Sequence, residues 1–316
     1  MEHWNEYWTT SNSVHSFSEG QYSKGYDGEL RSIWNAVFNS LPKSAQGIDI
    51  GCGNGGLALL AVQSGNNFDM YGCDAANIMP LASVDTTQEH FKMLPQITFC
   101  PNMKAEDLSF EDNHFDFALS QFGIEYSDLN LSIPQVLRVL KPGGRFIAML
   151  HHKNSFVTEN SKIGLKVLND FLKKDSIVDQ LHAFVTFYSS SVFTSNMHLE
   201  ENSRKFKSDN SALLDTFKNL QKHNMGDINT HWYNDVSKML VPFIMSWQNY
   251  SITDYEQTIA SLMQFTSRLR EQINTAKSLA DIKDTKATAQ KSFSSATYKP
   301  IRLEEGLFAW CIELTK

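Results

Sequence analysis

The chain has 316 residues, enough for about two domains or for one large domain with an insertion, so its core needs no disulfide or metal. Its 28 basic and 35 acidic side chains give a net charge of −7, which weighs against a basic nucleic-acid-binding surface. The 21 Phe, 10 Tyr and 6 Trp exclude a disordered chain.

Along the chain, residues 1–43 are rich in aromatics, and Leu30, Ile33, Trp34, Val37 and Phe38 recur at helical spacing, predicting a helix that Pro42 ends. The polar, acidic N-terminus lacks the basic and apolar regions of a signal peptide. Residues 44–152 alternate short apolar runs, turn signals and helical segments, the pattern of βαβ units. Strands are predicted at 46–50, 70–74, 97–100, 115–120 and 145–151. Lys141, Pro142, Gly143 and Gly144 predict a turn before the fifth. Cys52, Cys73, Cys100 and Cys311 form no CxxC pair, which fits reduced thiols in a cytoplasmic protein. No apolar run approaches the ~18–20 residues of a membrane span.

From 153 to 295 the texture becomes helical. Trp232, Val236, Leu240, Phe243 and Trp247 form one stripe, and Ile259 through Leu279 form another on one long segment behind Thr253. Such stripes need a partner surface: a packed core, the lining of an apolar substrate cavity, or a homodimer face. The basic spots at Lys173 and Lys174 and from Arg204 to Lys207 are diluted by nearby acids and read as solvated surface. Residues 297–303 and 307–315 flank Glu304, Glu305 and Gly306 as a β-hairpin that returns to the sheet begun at residue 46.

The strongest local signal is the passage from the first strand into Gly51, Gly53, Gly55 and Gly56, followed by an apolar helix. Glycines let the backbone bend sharply and admit a ligand closely, while the helix start offers free N–H donors. The second strand ends at Asp74, where a carboxylate can accept from ribose hydroxyls. Gly51, Gly53 and Gly56 also satisfy a dinucleotide fingerprint. Asp49, two residues before the loop, favours a zwitterionic amino-acid tail over a pyrophosphate.

These residues, with 102–120 and Leu140 to Phe146 in their order and spacing, resemble the class I S-adenosylmethionine-dependent methyltransferases of small-molecule type. The resemblance covers about 44–152 and 296–316. It implies a Rossmann-like, doubly wound α/β fold with a seven-stranded, mostly parallel sheet, an antiparallel last strand, and an α-helical insertion between strands five and six. In that frame 1–43 is an N-terminal helical lid, 44–152 with 296–316 the cofactor-binding domain, and 153–295 a substrate cap. S-adenosylmethionine is the implied cofactor. Asp49, Gly51, Cys52, Gly53 and Gly55 are implied around its methionine part, Asp74 and Ala75 at the ribose and adenine, and Ala105 and Glu106 along the adenine edge. Gln121 and Phe122 are implied to close over the methionine part or the transferable methyl. Lys104 stands where relatives commonly carry an aspartate for the adenine amino group. Phe17, Tyr22 and Tyr26 are candidates for lid contacts.

Methyl transfer from a sulfonium is an in-line displacement, so the protein positions a nucleophile and, where needed, removes its proton. Chemistry in open α/β sheets lies beyond the carboxyl ends of the strands. That places His151, His152 and Glu125, with Tyr126 beside it, as the candidate catalytic residues. Adjacent strand residues point to opposite faces, so one histidine at most faces the substrate. No third ligand joins the histidines at metal-binding spacing, and no metal is expected. Ser120, Gln121, Phe122 and Gly123 differ from the motif of base-amino methyltransferases, and no Pro-Cys dipeptide is present, so nucleic-acid bases are disfavoured. The expected function is methylation of a small, apolar or aromatic acceptor. Protein, peptide or RNA methylation, an NAD-linked oxidoreductase and a non-catalytic cofactor-binding module are the alternatives.

Overall fold

The computed structural model describes residues 2–11, 13–14, 26–188 and 200–316. Its helices, in chain order, are α1 (Glu2–Thr10), α2 (Gly28–Asn39), α3 (Gly56–Gln63), α4 (Pro80–Ser83), α5 (Leu129–Val139) and α6 (Phe156–Leu172). They continue as α7 (Ile177–Tyr188), α8 (Glu200–His223), α9 (Asp227–Leu240), α10 (Pro242–Met245), α11 (Ile252–Thr275) and α12 (Leu279–Ala289). The strands are β1 (Gln46–Ile50), β2 (Asp69–Cys73), β3 (Thr98–Cys100), β4 (Phe115–Gln121), β5 (Leu140–His151), β6 (Ser295–Leu303) and β7 (Gly306–Thr315). Two compact units result: Met1–Glu159 with Glu271–Lys316, and Asn160–Arg270.

The first unit is built on one seven-stranded sheet in the order β3-β2-β1-β4-β5-β7-β6. β1 to β5 pair in parallel, while β7 runs antiparallel to both its neighbours. Alternating side chains feed two cores. Phe117, Leu119, Ile147 and Met149 face one, with Trp34 and Phe38 of α2. Ile48, Ile50, Phe115, Phe146 and Ala148 face the other, with Ile133 and Val136 of α5. α3 is apolar on every side, and all of Gly56 to Val62 are buried. Such a helix is stable only when covered all round, and its position under the first core supplies that cover.

Two sequence-based boundaries are corrected. Lys141 to Gly144 lie inside β5, whose pairing with β4 slips between Phe115 and Phe117; the four residues bulge from a strand already begun at Leu140. The apolar stripe ending at Leu279 is not one helix. α11 stops at Thr275, where Lys277 donates its N–H to the carbonyl of His151 at 2.7 Å. α12 then starts afresh from a capping box of Ser278 and Asp281.

The second unit comprises α7 to α10 with the larger parts of α6 and α11. Phe171, Tyr188, Phe217, Tyr233 and Tyr255 pack its interior. Its buried phenols find acceptors: the Tyr233 hydroxyl donates to the Phe217 carbonyl at 3.0 Å and that of Tyr255 to Val178 at 2.5 Å. Part of the aromatic excess is thus helix-packing material. Among the described residues no helix is long and apolar enough to cross a membrane.

Candidate active site

The end of β1 turns at Gly51, whose φ of +72° suits glycine, and the turn hangs on one acceptor: the N–H groups of Gly51 and Cys52 both donate to the Cys73 carbonyl, at 2.9 and 3.0 Å. Gly55 donates to the Cys52 carbonyl at 2.9 Å, and α3 begins immediately after. The side chain at the end of β2 completes the cradle. One oxygen of Asp74 accepts from the Gly53 N–H and the other from the Ala76 N–H, each at 2.8 Å. Each oxygen keeps a further lone pair for a hydroxyl donor. Burial raises the Asp74 carboxyl above its ordinary range, against the pull of those two N–H groups.

Asp49 is 1 % exposed. Burial pushes its carboxyl up to about 8, a backbone hydrogen bond from Ala58 holds it down in part, and the Asp74 charge adds to the rise. Among the described residues its Oδ2 has no partner. A buried carboxylate oxygen left unpaired is costly, and a cation placed there removes the cost. Burial, and then the charges of Asp49 and Cys52, push the Tyr26 hydroxyl well up, and its ring packs on the first core. The donor set fits the ammonium and ribose of S-adenosylmethionine: an orphaned buried carboxylate oxygen, a second carboxylate with lone pairs to spare, and glycine backbone between them.

The segment after β4 is locked to the glycine loop. The Ser120 hydroxyl donates to the Ile50 carbonyl at 2.7 Å and accepts from the Ile124 N–H at 3.0 Å. Gly51 and Gly123 meet backbone to backbone, so that a Cβ on Gly51 would lie 2.6 Å from the Gly123 Cα. Gln121 accepts from the Trp34 indole N–H at 2.5 Å. Phe122, held at a φ of +55°, lays its ring against His151 with 4.0 Å between centroids.

This anchoring delivers Glu125 to His151. One carboxylate oxygen, Oε1, accepts from the backbone N–H of His151 at 2.9 Å and lies 3.0 Å from its Nδ1. A carboxylate only accepts, so with Glu125 ionised the Nδ1 of His151 is the donor of this contact. Both side chains are buried, and among the described residues neither Nε2 of His151 nor Oε2 of Glu125 has a partner. His152 faces the other way. Its ring stacks on Trp310 at 4.5 Å and its Nδ1 accepts from Asn154 N–H at 3.0 Å. The pair of histidines is thereby split.

The other expected residues are placed as follows. Ala75 is half-buried next to Asp74, and Ala105 packs on the second core. Glu106 accepts from the N–H of Asp128, the residue capping α5, at 2.9 Å. Phe17 and Tyr22 lie outside the described residues. Four residues of this region escaped sequence reasoning: Gly123, Asn54, and Trp4 and Trp8 of α1. Trp4 and Trp8 stand four apart, the spacing of one helix face, which was the available signal.

This sheet order with its reversed seventh strand, the glycine cradle after β1 and the carboxylate closing β2 are those of the class I, S-adenosylmethionine-dependent methyltransferase fold that the sequence resembles. Residues 48–148 match the family described as "Methyltransferase domain". Similar proteins include the ubiquinone/menaquinone biosynthesis C-methyltransferase UbiE of Rickettsia prowazekii, 31 % identical over 151 residues, with 46 % of this chain and 56 % of that one covered. The 2-phytyl-1,4-naphtoquinone methyltransferase of Trichormus variabilis is 33 % identical over 109 residues, covering 34 % of this chain and 46 % of that one. Among solved structures, an S-adenosylmethionine dependent methyltransferase from Mesorhizobium loti is similar at 22 % identity and a TM-score of 0.33, with 41 % of this chain and 57 % of that chain covered. The chain spans about half the length of the curated relatives it matches.

Proposed function

We propose that the chain methylates a small, apolar or aromatic acceptor, with His151 as general base and Glu125 as the group that orients it. The observation carrying this reading is the buried Nε2 of His151, without a partner among the described residues, on a ring whose Nδ1 lies 3.0 Å from the Glu125 carboxylate. Bound in the cradle, S-adenosylmethionine supplies a methyl group on a positively charged sulfur. Asp49 would take the cofactor's ammonium and Asp74 its ribose hydroxyls, while Gly51, Gly53 and Gly55 would keep the approach free of side chains. Neighbouring strands lie about 4.8 Å apart. The end of β5 therefore stands two strands, about 10 Å, from the end of β1, leaving room for a methyl donor at one and an acceptor at the other.

His151 Nε2 takes the acceptor's proton as the acceptor attacks in line, and the Glu125 carboxylate stabilises the imidazolium that forms. The rings of Phe122 and Tyr126 beside His151, at 4.0 and 6.1 Å, favour an aromatic acceptor. The two relatives named for quinone methylation support the same class. The test is transfer of a labelled methyl group to a panel of hydroxylated aromatic compounds, with small aliphatic amines and sugars as controls. Transfer to the aromatic hydroxyl compounds is expected; transfer confined to the amines or sugars contradicts the reading.

A further inference from the structure

Asn54 lies in the glycine cradle between Gly53 and Gly55, yet its side chain points to the N-terminal segment. It is fully buried, and its amide N–H groups face three carbonyls: Trp8 at 3.2 Å, Ser11 at 3.2 Å and Ser13 at 3.0 Å. Gly53 meets the same helix, since a Cβ there would lie 2.3 Å from the Trp8 ring. α1 is also tied to the far side of the cradle. The Asn77 N–H donates to the Asn5 side chain at 2.8 Å. At its other end Trp4 donates its indole N–H to Glu271 at 2.9 Å and meets the Tyr126 ring edge-on at 5.5 Å. Tyr126 in turn stands edge-on to His151 at 6.1 Å. A continuous line of contacts thus runs from the cofactor loop, through α1, to the proposed base.

We infer that Asn54 is a positioning residue: it holds α1 to the cofactor loop, keeps Trp4 on the acceptor side, and so couples cofactor occupancy to the order of α1. The inference rests on the cofactor reading proposed above. A ligand that fixes the backbone from Gly51 to Gly55 also fixes the anchor of α1, so part of the cost of ordering the helix is already met. The coupling is reciprocal. Whatever factor the ligand adds to the order of α1, an ordered α1 adds to ligand affinity.

The test is amide hydrogen exchange of the full chain with and without S-adenosylhomocysteine, paired with calorimetric affinity for the same ligand. In the wild type the ligand is expected to slow exchange of α1 amides about tenfold, within the usual range of such couplings. Asn54→Asp keeps the size but removes both donors. It is expected to abolish the ligand-dependent slowing in α1, to retain slowing in residues 51–59, and to weaken binding by about the same tenfold factor. Trp8→Leu, outside the loop, is expected to behave alike, and Trp8→Phe to restore most of the coupling, which keeps the test decisive if the Asn54 variant does not fold. Binding with no change in α1 exchange, or equal slowing in wild type and variants, overturns this inference alone. No binding to the wild type overturns the cofactor reading and the inference with it.

Discussion

One oxygen of Glu125 serves two donors of His151 at once, the backbone N–H at 2.9 Å and the ring Nδ1 at 3.0 Å, though 26 residues separate the pair. The backbone contact fixes where the carboxylate sits, and the ring contact fixes how the imidazole is turned. A histidine held at both points presents one nitrogen, Nε2, in one direction. Glu125→Gln keeps the shape but replaces the charge with an amide. Loss of the charge that stabilises the imidazolium should lower turnover about 10- to 100-fold, with S-adenosylhomocysteine affinity within about twofold of wild type. Steady-state rates and calorimetry check it; undiminished turnover would sink the orienting role.

Asp49 sets a pH dependence. Burial raises its carboxyl from 3.8 to about 8, so the folded chain keeps a proton there that the unfolded chain has released. Stability of the ligand-free protein should therefore fall as pH rises through that window. An ammonium beside Asp49 favours the carboxylate, so ligand binding should release a proton, and affinity should climb toward pH 8. Calorimetry at pH 7 in buffers of different ionisation enthalpy reads the proton count directly. Proton uptake, or none, contradicts the assignment. Asp49→Asn should flatten the urea midpoint against pH while weakening S-adenosylhomocysteine at least about tenfold.

Gly123 should be as intolerant as the loop glycines. A Cβ there would stand 2.7 Å from the Ile50 carbonyl oxygen and 2.9 Å from the Gly51 Cα. Both are backbone atoms of a central strand end, which cannot yield as a side-chain tip can. Gly123→Ala should cost about 1–3 kcal/mol of stability and weaken cofactor-product binding together with turnover, because it separates the cradle from Glu125. Denaturation midpoints and calorimetry decide; a variant equal to wild type in both would show the close approach to be slack.

His152 supplies the contrast. Burial and the Arg302 charge lower its pKa, and its ring is spent on Trp310 and Asn154. His152→Gln should lose about 1 kcal/mol of stability and leave turnover unchanged. A fall in turnover matching that of a His151 variant would mean that the face of β5 has been misassigned.

The cradle proposed for the cofactor was legible as a piece of geometry because its residues are close in sequence. Asp49, the glycines and Asp74 fall within a short span, and each residue type states its reason. The catalytic half was legible only as a set of candidates. Whether Glu125 meets His151 depends on the register that pairs Gln121 with Met149 across β4 and β5, which strand periodicity cannot supply. The choice between His151 and His152 needed the same register. Lys141 to Gly144 read as a turn because proline and glycine punctuate sequence locally, whereas a bulge absorbs them within a paired strand. The α1 contacts were hidden for another reason: the partners of Asn54 are carbonyls more than 40 residues upstream, which no local pattern links to the glycine loop.

The central claim, a methyl transfer with His151 as base, is tested most directly by His151→Gln. The measurement is single-turnover transfer of labelled methyl to the best hydroxylated aromatic acceptor, with S-adenosylhomocysteine affinity taken on the same sample. The expected result is a loss of about 10²- to 10⁴-fold in the transfer rate with affinity unchanged. Transfer at the wild-type rate in a variant that binds normally would contradict it.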